Sequence, residues 1–128
     1  MRVLICDDDR TILEYFGSMF ELEGWETQVA ASGEECLAAF EAGADPDVVI
    51  LDQQMPGVQG LQVAEELRGR SFTRPIVLCS AHIGPELRID IARLDLLPIN
   101  KVDVHAVLRI AKAALQMDQP DKAVTVQP

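Results

Sequence analysis

Asp7, Asp8 and Asp9 follow directly on the apolar run Val3-Leu4-Ile5-Cys6, Asp52 closes the run Val48-Val49-Ile50-Leu51, and Ser80 closes Ile76-Val77-Leu78-Cys79. These acids and this hydroxyl can act together only if the fold brings the ends of the three runs side by side. Several carboxylates within a few ångströms raise one another's energy, so such a cluster either keeps protons or recruits a cation. A hard divalent ion with oxygen ligands fits, and magnesium suits a site with few carboxylates and several waters. A phosphoryl group beside that ion would have its charge neutralised during transfer. A carboxylate nucleophile such as Asp52 would then become an aspartyl phosphate. Each residue also has a plainer reading. The acid triplet can be a solvated turn capping a helix, with Asp9 as the cap; Asp52 can be a turn residue before Met55-Pro56-Gly57; Ser80 can be an ordinary strand-end hydroxyl.

The elements that must position these groups alternate along the chain: short continuous apolar runs with longer amphipathic stretches, about five times over, which argues for repeated β-α units. The strands expected are Val3 to Cys6, Thr27 to Ala31, Val48 to Leu51, Ile76 to Cys79 and a ragged fifth from Leu94 to Ile99. Ile12, Leu13, Phe16 and Phe20 predict a first helix from Arg10 to Glu23, stopped by Gly24. The capping-box pattern Ser32 to Glu35 opens a second, which carries Cys36, Leu37 and Phe40 inward. Leu61, Ala64 and Leu67 line a third that ends near Gly69, Pro85 suits the first turn of a fourth, and Val104, Val107, Leu108, Ala111 and Leu115 mark a fifth with Asp103 as its cap. In open parallel sheets ligands bind outside the carboxyl ends of the strands, where the strand order reverses. If the first and third strands flank that point, Asp7, Asp8 and Asp52 converge.

Composition narrows the class. The chain has 128 residues, enough for one domain, with 48% hydrophobic but only 5% aromatic residues, the aliphatic balance of a parallel α/β sheet. A formal net charge of −10 without a basic stripe argues against nucleic-acid binding. No apolar run approaches the roughly 20 residues of a membrane span. The first run is too short for a signal peptide, so a cytoplasmic location is expected. Cys6, Cys36 and Cys79 have neither metal-site nor disulfide spacing and read as small buried thiols. The domain should occupy residues 1–116, with 117–128 as a polar tail or the start of a linker.

Three segments, Leu4-Ile5-Cys6-Asp7-Asp8-Asp9, Val48 to Gly57 with Gly60, and Ile76-Val77-Leu78-Cys79-Ser80-Ala81, closely resemble the main signatures of response-regulator receiver domains. The resemblance spans about residues 2–116. It implies an α/β fold with a doubly wound, five-stranded parallel sheet of order 2-1-3-4-5. It also implies that Asp52 is the phosphorylated aspartate, Asp8 a direct magnesium ligand, Asp7 a ligand acting largely through water, and the Gln54 backbone carbonyl the last protein ligand. Ser80 matches the hydroxyl residue that swings toward the phosphoryl group, and the Ala81 amide would help to hold it. The implied donor is a sensor histidine kinase or histidine phosphotransfer protein, and the signal would pass through the fourth helix, fifth strand and fifth helix to a downstream protein or output domain.

The fifth strand departs from the family. A lysine followed by a proline is usual there; aligned backward from the last helix, Asn100 takes the lysine position, and Lys101 can serve only through a one-residue slip absorbed by a bulge or loop. Leu97 stands where an aromatic switch residue is usual. These departures keep a second reading open, a pseudo-receiver that binds partners without phosphorylation. Gln54 and His82 fall where the family steers water during dephosphorylation. A dehalogenase-like phosphatase would need an acid where Gln54 stands. A flavin or nucleotide carrier would want glycines where the acid triplet stands.

Overall fold

A computed structural model describes residues 1–100 and 104–117. Ten elements alternate: β1 (Arg2–Cys6), α1 (Arg10–Leu22), β2 (Glu26–Ala30), α2 (Gly33–Glu41), β3 (Val48–Asp52), α3 (Gly60–Gly69), β4 (Ile76–Ser80), α4 (Pro85–Arg93), β5 (Leu97–Asn100) and α5 (Val104–Met117). The strands form one parallel sheet in the order β2-β1-β3-β4-β5. This is the expected doubly wound α/β fold.

β1, β3 and β4 are apolar at nearly every position because both faces of the sheet are covered. Alternate residues point to opposite sides. Leu4, Cys6, Val49, Leu51, Ile76 and Leu78 pack against Cys36 of α2, Val63, Ala64 and Leu67 of α3, and Ile91 of α4. Val3, Ile5, Val48, Ile50, Val77 and Cys79 pack against Leu13, Phe16 and Phe20 of α1 and Val107, Ala111 and Leu115 of α5. Phe20 meets Trp25 edge to face at 5.0 Å between centroids.

Local chemistry sets the ends of the helices. Asp9 accepts from the Thr11 amide at 2.9 Å to cap α1, and Gly24 takes φ +85 after it. Ser32 Oγ accepts from the Glu35 amide, while the Glu35 carboxylate reaches back to the Ala31 amide, one residue before the cap. The expected cap at Asp103 lies outside the described residues.

Three packing details differ from expectation. β5 begins at Leu97 rather than Leu94 because Leu94 closes α4 and the Asp95 backbone turns at φ +53; the Leu96 amide then donates back to Ile91 O at 2.9 Å. Leu37 and Phe40 are only partly buried beside the fully buried Cys36. In α3, Val63 takes the inner place expected of Leu61, which sits at the boundary. Pro98 is tolerated in β5 because, among the described residues, that strand pairs only with β4.

Candidate functional site

The carboxyl ends of β1 and β3 are neighbours, with Cys6 opposite Leu51 in the register, so the next residue of each strand lies on the same rim. Asp7 and Asp52 are 3% and 2% exposed, while Asp8 is exposed. Carboxylate oxygens of Asp7, Asp8 and Asp52 lie within 4.8 Å of one another. The convergence expected from the sheet topology is present, and it divides the acid triplet. Asp7 and Asp8 turn to the cluster, whereas Asp9 is spent on α1; its amide donates to Asp7 Oδ1 at 2.9 Å and holds that carboxylate in place.

This donor set suits a hard divalent cation. Two nearly buried carboxylates and one at the surface supply oxygen ligands on one side and leave the solvent side open for water or an anion. Asp52 Oδ1 also faces the Gln54 amide at 3.3 Å.

The loop from β3 to α3 is held tightly behind Asp52. Gly60 begins α3 so close to β3 that a Cβ would run into the Asp52 carbonyl oxygen and lie 3.0 Å from Gln53 Cα. Met55 is buried, as its place in the loop suggests, and its Sδ accepts from the Cys6 thiol at 3.6 Å. Cys6 also lies 3.2 Å from the Ser32 carbonyl. Its hydrogen bond with Cys36, then burial, push the thiol far above its ordinary pKa, so it stays neutral. All three cysteines are free and buried, as expected.

Ser80 is 3% exposed at the end of β4 and is engaged by its own loop. Its hydroxyl donates to the His82 carbonyl at 2.7 Å, and the His82 amide faces Ser80 Oγ at 3.3 Å. Ala81, His82 and His105 are exposed. Asn100 ends β5 directly opposite Ser80 in the register and is exposed, Leu97 is partly buried, and Lys101 lies outside the described residues. The sequence reading missed Gln53. Its side-chain oxygen accepts from the Leu61 amide at 2.8 Å, and the only signal was a second polar residue directly after Asp52.

No helix among the described residues is long and apolar enough to cross a membrane. The family model of the response regulator receiver domain matches residues 3–97. Over 125 residues the chain is 30% identical to the regulatory protein AtoC of Escherichia coli, covering 96% of this chain and 27% of that one. It is also 30% identical over 126 residues to the response regulator MprA of Mycobacterium tuberculosis, covering 96% and 54%. The chain thus spans between about a quarter and a half of the curated relatives it matches. Among solved structures it is similar to the response regulator TrrA of Thermotoga maritima in complex with Mg2+ and BeF, with TM-score 0.77, 31% identity, and coverage of 88% of this chain and 97% of that chain. The chemotaxis protein CheY4 of Vibrio cholerae gives TM-score 0.81 and 25% identity, covering 88% and 97%. The sheet order, the acid cluster at its rim and a family match over three-quarters of the length agree, and the chain belongs to the response-regulator receiver domains.

Proposed function

We propose that this receiver domain accepts a phosphoryl group on Asp52 and passes the change to the surface formed by α4, β5 and α5. The observation that carries the reading is the meeting of Asp52 with Asp7 and Asp8 at one sheet rim. Asp7, Asp8, Asp52 and the Gln54 backbone carbonyl would hold magnesium. When bound, the ion neutralises phosphoryl oxygens during transfer. An Asp52 carboxylate oxygen bonds to phosphorus as the phosphorus–nitrogen bond of a phosphohistidine breaks, and the electron pair leaves with the imidazole. The donor is a sensor histidine kinase or a histidine phosphotransfer protein in the cytoplasm. Ser80 then exchanges the His82 carbonyl for a phosphoryl oxygen, the Ala81 amide donates to the same group, and Asn100 or Lys101 completes the donors. Loss of the Ser80 to His82 bond frees the loop that leads into α4, which shifts the population of the downstream surface. A downstream protein or an output domain reads that surface.

Magnesium with acetyl phosphate tests this directly. The wild-type chain should gain an acid-labile, hydroxylamine-sensitive phosphate that Asp52→Asn abolishes; a wild type that gains none defeats the proposal. A second reading, the pseudo-receiver, draws on the neutral Asn100 opposite Ser80. It requires beryllofluoride to leave the backbone amides of α4 unshifted and Asp52→Asn to keep binding the partner.

A further inference from the structure

We infer that Gln53 is a positioning residue for the cation site: its side chain caps α3 and thereby fixes the peptide that offers the Gln54 carbonyl. The inference rests on the proposed magnesium site.

Gln53 stands between the acceptor Asp52 and Gln54, and the chain returns to it twice. Its amide donates to the Cys79 carbonyl at 2.8 Å, tying it to β4, and its carbonyl accepts from the Gly60 amide at 3.2 Å. Its side-chain Oε1 accepts from the Leu61 amide at 2.8 Å. Leu61 lies in the first turn of α3, where amides have no partner within the helix. Gln53, eight residues upstream, supplies one.

The segment 53–61 is therefore closed on itself twice, by the backbone bond from Gly60 and by the Gln53 side chain. Met55 anchors it in the core, Gly57 turns it at φ +76, and Val58 presses on α2, where a Cβ at Gly33 would meet the Val58 carbonyl at 2.6 Å. Gln54 is an exposed residue within this bracket, with its amide toward Asp52 Oδ1. Without the Gln53 acceptor the Leu61 amide loses its partner, the segment is closed only by the bond from the Gly60 amide to the Gln53 carbonyl, and the Gln54 peptide gains freedom beside the ion. Supporting groups of this kind commonly tune metal affinity by about 10–100-fold.

The two hard cations separate positioning from general support. Magnesium demands near-octahedral geometry, whereas calcium accepts irregular shells. Calorimetric titrations of the full chain with MgCl2 and CaCl2 should show Gln53→Met, which keeps the length but not the acceptor, binding Mg2+ about tenfold more weakly and Ca2+ within about twofold. Gln53→Glu, which keeps an acceptor facing a helix N-terminus, should hold the wild-type Mg2+/Ca2+ ratio even if its charge tightens both ions. Hydrogen exchange at the Leu61 amide should be fast in the Met variant and slow in the Glu variant. If Gln53→Met does not fold, Gln53→Asn, one methylene too short to reach Leu61, carries the same expectation. A wild type that binds no Mg2+ overturns the magnesium reading and this inference together. A wild type that binds, beside a Met or Asn variant that loses neither ion or loses both equally, overturns the positioning role alone.

Discussion

Asp7, Asp8 and Asp9 are chemically identical neighbours with three different tasks, and their surroundings make the distinction. Asp9 is held by the α1 amides, Asp7 by the Asp9 amide in a nearly closed site, and Asp8 stands at the solvent side. Asp8→Asn leaves one carboxylate fewer for a cation, and Mg2+ affinity measured by calorimetry should fall at least about tenfold. The same change removes a like charge, so the metal-free chain should unfold at the same or slightly higher urea concentration, by less than about 1 kcal/mol. Cys6 makes a second residue-scale case. Its neutral, buried thiol and the equally buried Cys36 and Cys79 should resist a thiol reagent such as DTNB at pH 8, then react as three groups in guanidinium. Fast labelling of the native chain would contradict that burial.

Polar ties at the ends of helices add to the apolar faces packed along them. The Arg68 guanidinium, from the last turn of α3, donates to the carbonyls of Phe72, Arg74 and Leu94 at 2.8 Å each and to Asp95 at 2.9 Å. One side chain thereby joins the turn into β4 to the turn from α4 into β5. Arg93 adds an ion pair with Glu65 between α4 and α3. α4 itself contributes one buried side chain, Ile91, with Leu87 partly buried beside it, so these polar ties add to a small apolar contact. Arg68→Ala should cost about 2–3 kcal/mol in urea unfolding, as charge-assisted hydrogen bonds are lost. Arg68→Lys should recover little, since an ammonium lacks the planar fork that reaches several carbonyls. Equal stability of wild type and Arg68→Ala would mean that water replaces the clamp at no cost.

For the whole molecule, the sheet is both the core and the frame of the site, so ion uptake and global stability are linked. If the site binds Mg2+ only when folded, the unfolding midpoint should climb with MgCl2 as the unfolding free energy gains about 2.7 kcal/mol at a hundred times Kd. A midpoint unmoved by MgCl2 in the wild type would separate the rim from the fold and count against the site. The layered fold was legible in the sequence because both-face burial writes continuous apolar runs, and the helix ends because glycine, proline and capping residues act on their immediate neighbours. Asp7, Asp8 and Asp52 were legible because each follows such a run and a parallel sheet gathers those ends at one rim. The start of β5 was misread because Leu94 and Leu96 are apolar in either role, and a left-handed turn at Asp95 leaves no sign in hydrophobic period. Gln53 was legible only as a polar residue after Asp52: its partner is a backbone amide, which every residue but proline owns, and only the return of α3 against β3 determines which amide it meets. The sequence by itself determined which residue types stand at the strand ends, since short-range patterning needs no partner. The tertiary structure alone decided how closely those acids approach and what holds the loop behind Asp52, because those depend on distances between segments that the chain order does not encode.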